Sequence, residues 1–431
     1  MFALCNVPFL WGVPELPTVL KVAALLLLVV CYLWLHIRPF GGRDLPGKLR
    51  LLGGSCELLI ICAVCASAQA AAYIYLYMSP REIGVPVWIG GVVMAVLLIA
   101  ALLANGLIRL FFASGQITLG QRVALIFLWW APIANIVLFA VVYGKASREF
   151  KFGVLRQQRN ESRRGKNVCA TKYPLLLVHG IFFRDWKIFN YWGRVPEQLE
   201  ANGSVIHYGN QHSSTSVEES AKELRGRIAE IVEKEGCEKV NIIAHSKGGL
   251  DSRYAISCLG MDEHVASLTT VNTPHRGCRF ARHALDKIPQ GLVSSISGKY
   301  DKIFAKLGDD QPDFFTGVSE LSDEKCAELN ELMPDREGVV YQSVGSRMKS
   351  ASSASFPLNL GHGIVKAVDG ENDGLVTVES MPWGEFTMLE PVGKRGISHG
   401  DVIDLTRKDV EGFDVCEFYI GLVSGLKERG L

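Results

Sequence analysis

The pattern of apolar positions changes character near residue 145. Before that point four stretches are almost continuously apolar: Val19 to Ile37, Cys56 to Met78, Pro86 to Ile108 and Val123 to Tyr143. Short segments carrying Gly, Pro and charge separate them (Pro39, Gly41, Gly42, Pro46, Gly47; then Ser79, Pro80, Arg81, Glu82). A helix of roughly 20 mainly apolar residues covers a hydrocarbon core of ~30 Å, so the pattern predicts four membrane-spanning helices. Four runs instead of one short run near the start speak against a cleaved signal peptide. Tyr73, Tyr75, Tyr77 and Trp88 flank the second short loop, where amphipathic rings favour the headgroup region. Gln69, Asn105 and Asn135 fall in or near these spans as neutral amides, which serve mainly as hydrogen-bond partners between helices. The bundle therefore reads as an anchor rather than a transporter.

From Tyr173 onward, apolar runs of strand length alternate with longer helical patterns, the signature of an α/β domain with a mostly parallel sheet covered on both faces. Tyr173 to Val178 and Ser204 to Tyr208 read as the first two strands. Val217, Ala221, Leu224, Ile228 and Ile231 then recur at spacings of three and four, which makes one apolar helix face. Lys239 to Ala244 reads as the third strand and leads directly into His245-Ser246-Lys247-Gly248-Gly249 and a helical stretch through Ser257. The organisation predicted is an anchor over residues 1–144, a basic linker over 145–170 and a catalytic domain over 171–431.

Composition sharpens this division. Before residue 145 the only basic residues are Lys21, Arg38, Arg43, Lys48, Arg50, Arg81, Arg109 and Arg122, and the only acidic ones are Glu15, Asp44, Glu57 and Glu82. The net charge of +1 lacks the excess of Lys and Arg that phosphate neutralisation requires, so nucleic acid is not an expected partner. The 11 cysteines show no C-x-x-C pair after residue 145, which speaks against a structural zinc site. Cys62 and Cys65 have that spacing but lie inside an apolar run, where they read as lipid-facing or packing residues. Basic residues between Lys145 and Lys166 and those of the first loop (Arg38, Arg43, Lys48, Arg50) give opposite orientations under the positive-inside rule.

The third strand carries the chemistry. Strand, sharp turn, small residues and helix are the context of a nucleophile elbow, in which the turn lifts a serine hydroxyl clear of the sheet. Ser246 is that serine; Gly248 follows two residues later, and Ala244 keeps the preceding position small where Gly is commoner. A nucleophilic serine needs a base, an acid to orient the base, and donors for the oxyanion, and this fold presents the triad in the chain order Ser, acid, His. The stretch Gly370 to Val376 offers Asp373 in a turn before an apolar strand, with Asp369 and Glu371 as nearby alternatives. His399 is the last of ten histidines and the only one after His362, which makes it the base by elimination. His362 precedes Asp373 and breaks the order, so it reads as structural or substrate-proximal. The backbone N–H groups of Lys247 and Ile181, the latter in the turn His179-Gly180-Ile181, are the expected oxyanion donors.

With these residues placed, the domain resembles bacterial triacylglycerol lipases of the α/β-hydrolase fold. The likeness rests on the HG turn at His179 and Gly180, AHSKGG at Ala244 to Gly249, NTPHRG at Asn272 to Gly277, NDGLV at Asn372 to Val376 and SHGD at Ser398 to Asp401. It implies Ser246, Asp373 and His399 as the triad, and a cap of helices between about Cys278 and Pro334 in which Phe304, Leu307, Phe314, Phe315, Val318 and Leu321 supply apolar surface. Many such lipases carry a structural calcium beside the catalytic His. Asp401 fits one ligand position, but Ser350 to Ser355 offers no matching carboxylate, so no cofactor is expected and calcium is left as an alternative without a complete ligand set. The function implied is a membrane-anchored serine hydrolase of lipid esters. An acyltransferase with the same triad and a non-catalytic membrane sensor are the alternatives.

Overall fold

The structure, a computed structural model, describes residues 1–11, 17–79, 83–128, 130–181, 190–212, 215–280, 319–355, 358–390 and 395–431. Two compact units divide the chain, Met1–Glu161 and Ser162–Leu431.

The first unit is helical. Among its described residues, three helices are long and apolar enough to cross a membrane: α1 (Thr18–Ile37), α2 (Gly47–Met78) and α3 (Val85–Ala113). At about 1.5 Å per residue, the 20 residues of α1 reach about 30 Å, one hydrocarbon core. Small residues bring α2 and α3 together: a Cβ on Gly106 would lie 2.9 Å from Leu59 Cδ2, and the Ser55 hydroxyl donates to the Gly106 carbonyl at 2.9 Å. The amides act between segments. Gln69 exchanges two 2.9 Å hydrogen bonds with Asn6, and Asn105 donates to the carbonyl of His36 at 3.0 Å.

The fourth apolar stretch differs from the expected single helix. It is split into α4 (Leu119–Phe127), opened by a reciprocal Thr118–Gln121 capping box, and α5 (Pro132–Arg163). Pro132 explains the break, because it has no N–H to donate and its ring clashes with the carbonyl four residues back. Hydropathy over Val123 to Tyr143 does not register that interruption.

The second unit is built on a six-stranded sheet in the order β2-β1-β3-β4-β5-β6, with every pair parallel: β1 (Leu175–Val178), β2 (Ile206–Tyr208), β3 (Val240–His245), β4 (Val265–Val271), β5 (Val340–Gly345) and β6 (Glu385–Met388). Every residue of β1, β3 and β4 is buried, as a sheet covered on both faces requires. One face is covered by α7 (Val217–Glu235), whose Ala221, Leu224, Ile228 and Ile231 pack on Leu176, Ile242 and Leu268. On the other, Leu175, Leu177 and Ile243 pack with Trp192 and Val195, at the start of α6 (Val195–Glu200), and with Tyr419, Ile420 and Val423 of α11 (Val415–Glu428). Between β3 and β4 runs α8 (Lys247–Cys258), and α9 (Asp323–Leu332) precedes β5.

The chain order reverses around β1, which lies between β2 and β3, so the loops after β1 and β3 diverge at a switch point where parallel α/β sheets place ligands. Of the expected cap, residues 281–318, including Phe304, Leu307, Phe314, Phe315 and Val318, lie outside the described residues, while Leu321 packs partly buried beside Cys326 and Leu329. The strand expected after Asp373 is instead a turn closed by an Asn372–Thr377 bridge and followed by a 3-10 turn at Val378–Ser380. All eleven cysteines are free.

Candidate active site

Local sequence forces Ser246 into an unusual backbone. β3 ends at His245 and α8 starts at Lys247, so one residue must turn the chain, and Ser246 does it at φ 54°, ψ −131°. A non-glycine residue held there costs about 1–3 kcal/mol, which surrounding contacts must offset. Those contacts are tight. A Cβ on Gly248 would lie 2.4 Å from the His179 carbonyl oxygen, and one on Gly249 would lie 2.2 Å from Thr273 Oγ1, whose hydroxyl donates to the Ser246 carbonyl at 2.8 Å. The small residues around Ser246 are thus required by the close approach of β1, β3 and β4 at their C-terminal ends.

The turn after β1 reaches the same point. Gly180 lies against Ser246, where an added Cβ would come within 2.8 Å of the serine Cβ, and Ile181 follows, nearly buried. Lys247 provides the first N–H of α8, a group no intrahelical carbonyl satisfies. Its side chain is fully occupied elsewhere: the buried ammonium donates to Asp251 Oδ1 at 2.7 Å, to Ser220 Oγ at 2.9 Å and to the Ser216 carbonyl at 3.4 Å. Burial pushes the Asp251 carboxyl up to about 7, against the opposing pull of Lys247.

Asp373 and His399 meet. His399 Nδ1 lies 2.6 Å from Asp373 Oδ2, and the His399 backbone N–H donates to the Asp373 carbonyl at 2.9 Å. The fully buried carboxylate also accepts from the N–H groups of Leu375 and Val376 at 2.9 and 2.8 Å, and from Asn272 Nδ2 at 2.7 Å. A carboxylate at Nδ1 makes that nitrogen the donor of a neutral imidazole and leaves Nε2 as the basic atom.

The other carboxylates are committed differently. Asp369 Oδ1 accepts from Arg279 Nε at 2.9 Å and Oδ2 from the Phe280 N–H at 2.8 Å, whereas Glu371 is exposed and paired with Arg347. His362, on α10 (Leu358–Asp369), contacts Asn372 Oδ1 through Nδ1 at 3.1 Å. The His245 ring lies 4.4 Å from the His399 ring, centroid to centroid and tilted by 51°, and burial together with that neighbour pulls its pKa well below the ordinary histidine value, so it stays neutral.

Residues 175–341 match a family described as "Putative serine esterase (DUF676)". A triacylglycerol lipase of Pseudarthrobacter phenanthrenivorans is 33% identical over 147 residues, 32% of this chain and 46% of that protein. One from Vibrio cholerae is 29% identical over 239 residues, 50% of this chain and 75% of its own. The second unit is thus similar to serine esterases and triacylglycerol lipases over part of its length. This chain spans less than half the length of the Pseudarthrobacter relative and of a Burkholderia plantarii triacylglycerol lipase, of which 40% is covered at 33% identity. A Bacillus licheniformis lipase in its mature form aligns over 59% of this chain and 92% of its own, at 23% identity and a TM-score of 0.45.

Two further participants in this site carry no signal in local spacing. Tyr191 ties the turn after β1 to the elbow: its hydroxyl accepts from the Gly180 N–H at 3.2 Å and lies 2.6 Å from His245 Nδ1. Asn272, at φ 47°, joins Asp373 to the Ser346 hydroxyl through one amide nitrogen. Asn272 opens the NTPHRG segment, so its place in that motif was the available hint.

Proposed function

We propose that this chain is a membrane-anchored serine ester hydrolase that cleaves carboxylic esters of lipids. The observation that carries the reading is the Asp373–His399 bond of 2.6 Å, formed next to His245, whose ring lies 4.4 Å from that of His399 and which directly precedes a serine held at φ 54°. In the reaction, Ser246 Oγ attacks the ester carbonyl while His399 Nε2 takes its proton. The N–H groups of Ile181 and Lys247 hold the oxyanion, a contribution of about 2.7–4 kcal/mol per donor. Collapse of the tetrahedral intermediate expels the alcohol, which receives the proton from His399, and leaves an acyl group on Ser246. Water, deprotonated by His399, then releases the carboxylic acid and restores the serine. Asp373 keeps the imidazole in the required tautomer and stabilises the imidazolium that forms.

The substrate class follows from the kinship to triacylglycerol lipases and from the three helices of membrane-crossing length carried by the same chain. In this reading α1, α2 and α3 cross the bilayer, and α4 with the apolar first turns of α5 forms a broken fourth crossing. A water-insoluble ester would then reach the enzyme by lateral diffusion. The test is hydrolysis of p-nitrophenyl esters of increasing chain length by the full chain in mixed micelles, beside Ser246→Ala. Turnover that rises with chain length and vanishes in the variant supports the reading, and turnover equal in both proteins removes it.

A further inference from the structure

The segment bearing His399 is anchored at the point where the resemblance to bacterial lipases implies a structural calcium. Asp401, two residues after His399, is buried and its carboxylate faces a guanidinium: Arg395 Nη2 lies 2.9 Å from both Oδ1 and Oδ2. Oδ2 also accepts from the Ser398 N–H at 3.1 Å and the Ser398 hydroxyl at 2.7 Å. The same guanidinium also reaches the Ser350 to Ser355 stretch, where Arg395 Nε donates to the Ser353 carbonyl at 2.6 Å. The Ser353 hydroxyl accepts from the Gly396 N–H at 3.3 Å, which closes the loop onto that stretch.

A carboxylate and a backbone carbonyl, brought together from two segments, are the hard oxygen donors calcium takes. Here a fixed positive charge stands between them. Like charge repels a divalent cation, and both Asp401 oxygens are already engaged, so these residues do not fit calcium. A second fork braces the far end of the segment. Asp404, in the left-handed region at φ 57°, accepts from Arg194 N and Nε through Oδ2 at 2.8 and 2.7 Å, and from Arg194 Nη2 through Oδ1 at 2.7 Å.

We propose that Arg395 is a positioning residue that takes the place of a structural calcium: its guanidinium bridges Asp401 to Ser353 and holds the His399 segment in register with Asp373. The proposal rests on the hydrolase reading for its catalytic consequence, while the bracing itself is testable without turnover. Arg395 touches no reacting atom. Its removal acts through the placement of His399, and misplacement of a catalytic group by about 1 Å costs on the order of 10²-fold in rate.

The experiment compares the full chain in detergent with Arg395→Lys and Arg395→Ala, each with calcium or with a chelator, by hydrogen exchange of the segment 396–404 and by ester hydrolysis. The native segment should exchange equally slowly with calcium or chelator. Arg395→Ala should exchange faster there, with the 240–250 segment unchanged, and kcat should fall about 10–100-fold at nearly constant KM. Arg395→Lys, able to reach only one partner at a time, should lie between, and added guanidinium ion should restore part of both losses in Arg395→Ala. Calcium-dependent protection of the native segment, or an Arg395→Ala variant with native exchange, would overturn the proposal. A native chain with a protected, calcium-indifferent segment but no turnover would leave the bracing intact and remove the hydrolase reading.

Discussion

Replacing Asp373 by Asn keeps the side chain's shape and changes two of its four contacts. The amide oxygen can still accept from Leu375 and Val376, the bonds of 2.9 and 2.8 Å. The amide nitrogen takes the place of Oδ2, where both His399 Nδ1 and Asn272 Nδ2 now donate. Facing His399, the new N–H donates to Nδ1 and moves the imidazole proton to Nε2, so the ring has no lone pair for the serine proton. The same exchange in another serine hydrolase triad lowers kcat about 10⁴-fold, which corresponds to about 5.5 kcal/mol of barrier. Facing Asn272, two donors oppose each other, a cost of about 1–3 kcal/mol in stability unless the Asn272 amide turns over. We therefore expect kcat for p-nitrophenyl butyrate hydrolysis by the solubilised full chain to fall about 10³–10⁴-fold at similar KM, with a modestly lowered melting temperature. Turnover within about ten-fold of native in Asp373→Asn, with loss in Glu371→Gln or Asp369→Asn, would refute the assignment of the acid.

Lys247→Met leaves Asp251 buried without its partner and should destabilise by about 3–5 kcal/mol, read as a lowered melting temperature, while a double variant with Asp251→Leu regains much of the loss. Because the proposed mechanism uses only the backbone of Lys247, the folded double variant should still react with a fluorophosphonate; loss of labelling would give the side chain a direct role. His275 is buried with its pKa pulled well below the usual value, mainly by burial and then by Arg253 and Arg276. A depressed pKa contributes stability above the unfolded value of about 6.5 and loses it as pH falls, by up to about 1.4 kcal/mol per pH unit. His275→Gln should therefore melt less steeply with falling pH between about 6.5 and 5 than the native chain, and an unchanged slope would contradict that burial argument.

The elbow was legible because two periodicities meet there: a buried strand ends and a helix begins across one serine with small neighbours. The acid was less so. Asp369, Glu371 and Asp373 lie within five positions, and local spacing does not rank them. Their separation comes from distant groups: Arg279 and Phe280 on Asp369, Arg347 on Glu371, and Asn272, 101 residues away, on Asp373. The turn after Asp373 looked like a strand because Leu375 and Val376 are apolar, yet their N–H groups bond the Asp373 carboxylate instead of a neighbouring strand. Arg395 was invisible for a related reason: a search for calcium ligands looks for carboxylates, and the group that occupies the position is a cation. In the first unit, hydropathy found the apolar stretches, but one Pro decides that the fourth is two helices.

The measurement that bears most directly on the central claim is labelling of the detergent-solubilised full chain by a fluorophosphonate probe, beside Ser246→Ala. The account predicts one covalent adduct per chain, located by peptide mapping at Ser246 and absent from the variant. A well-folded native chain that does not label, or labelling that persists in Ser246→Ala, would contradict an activated Ser246.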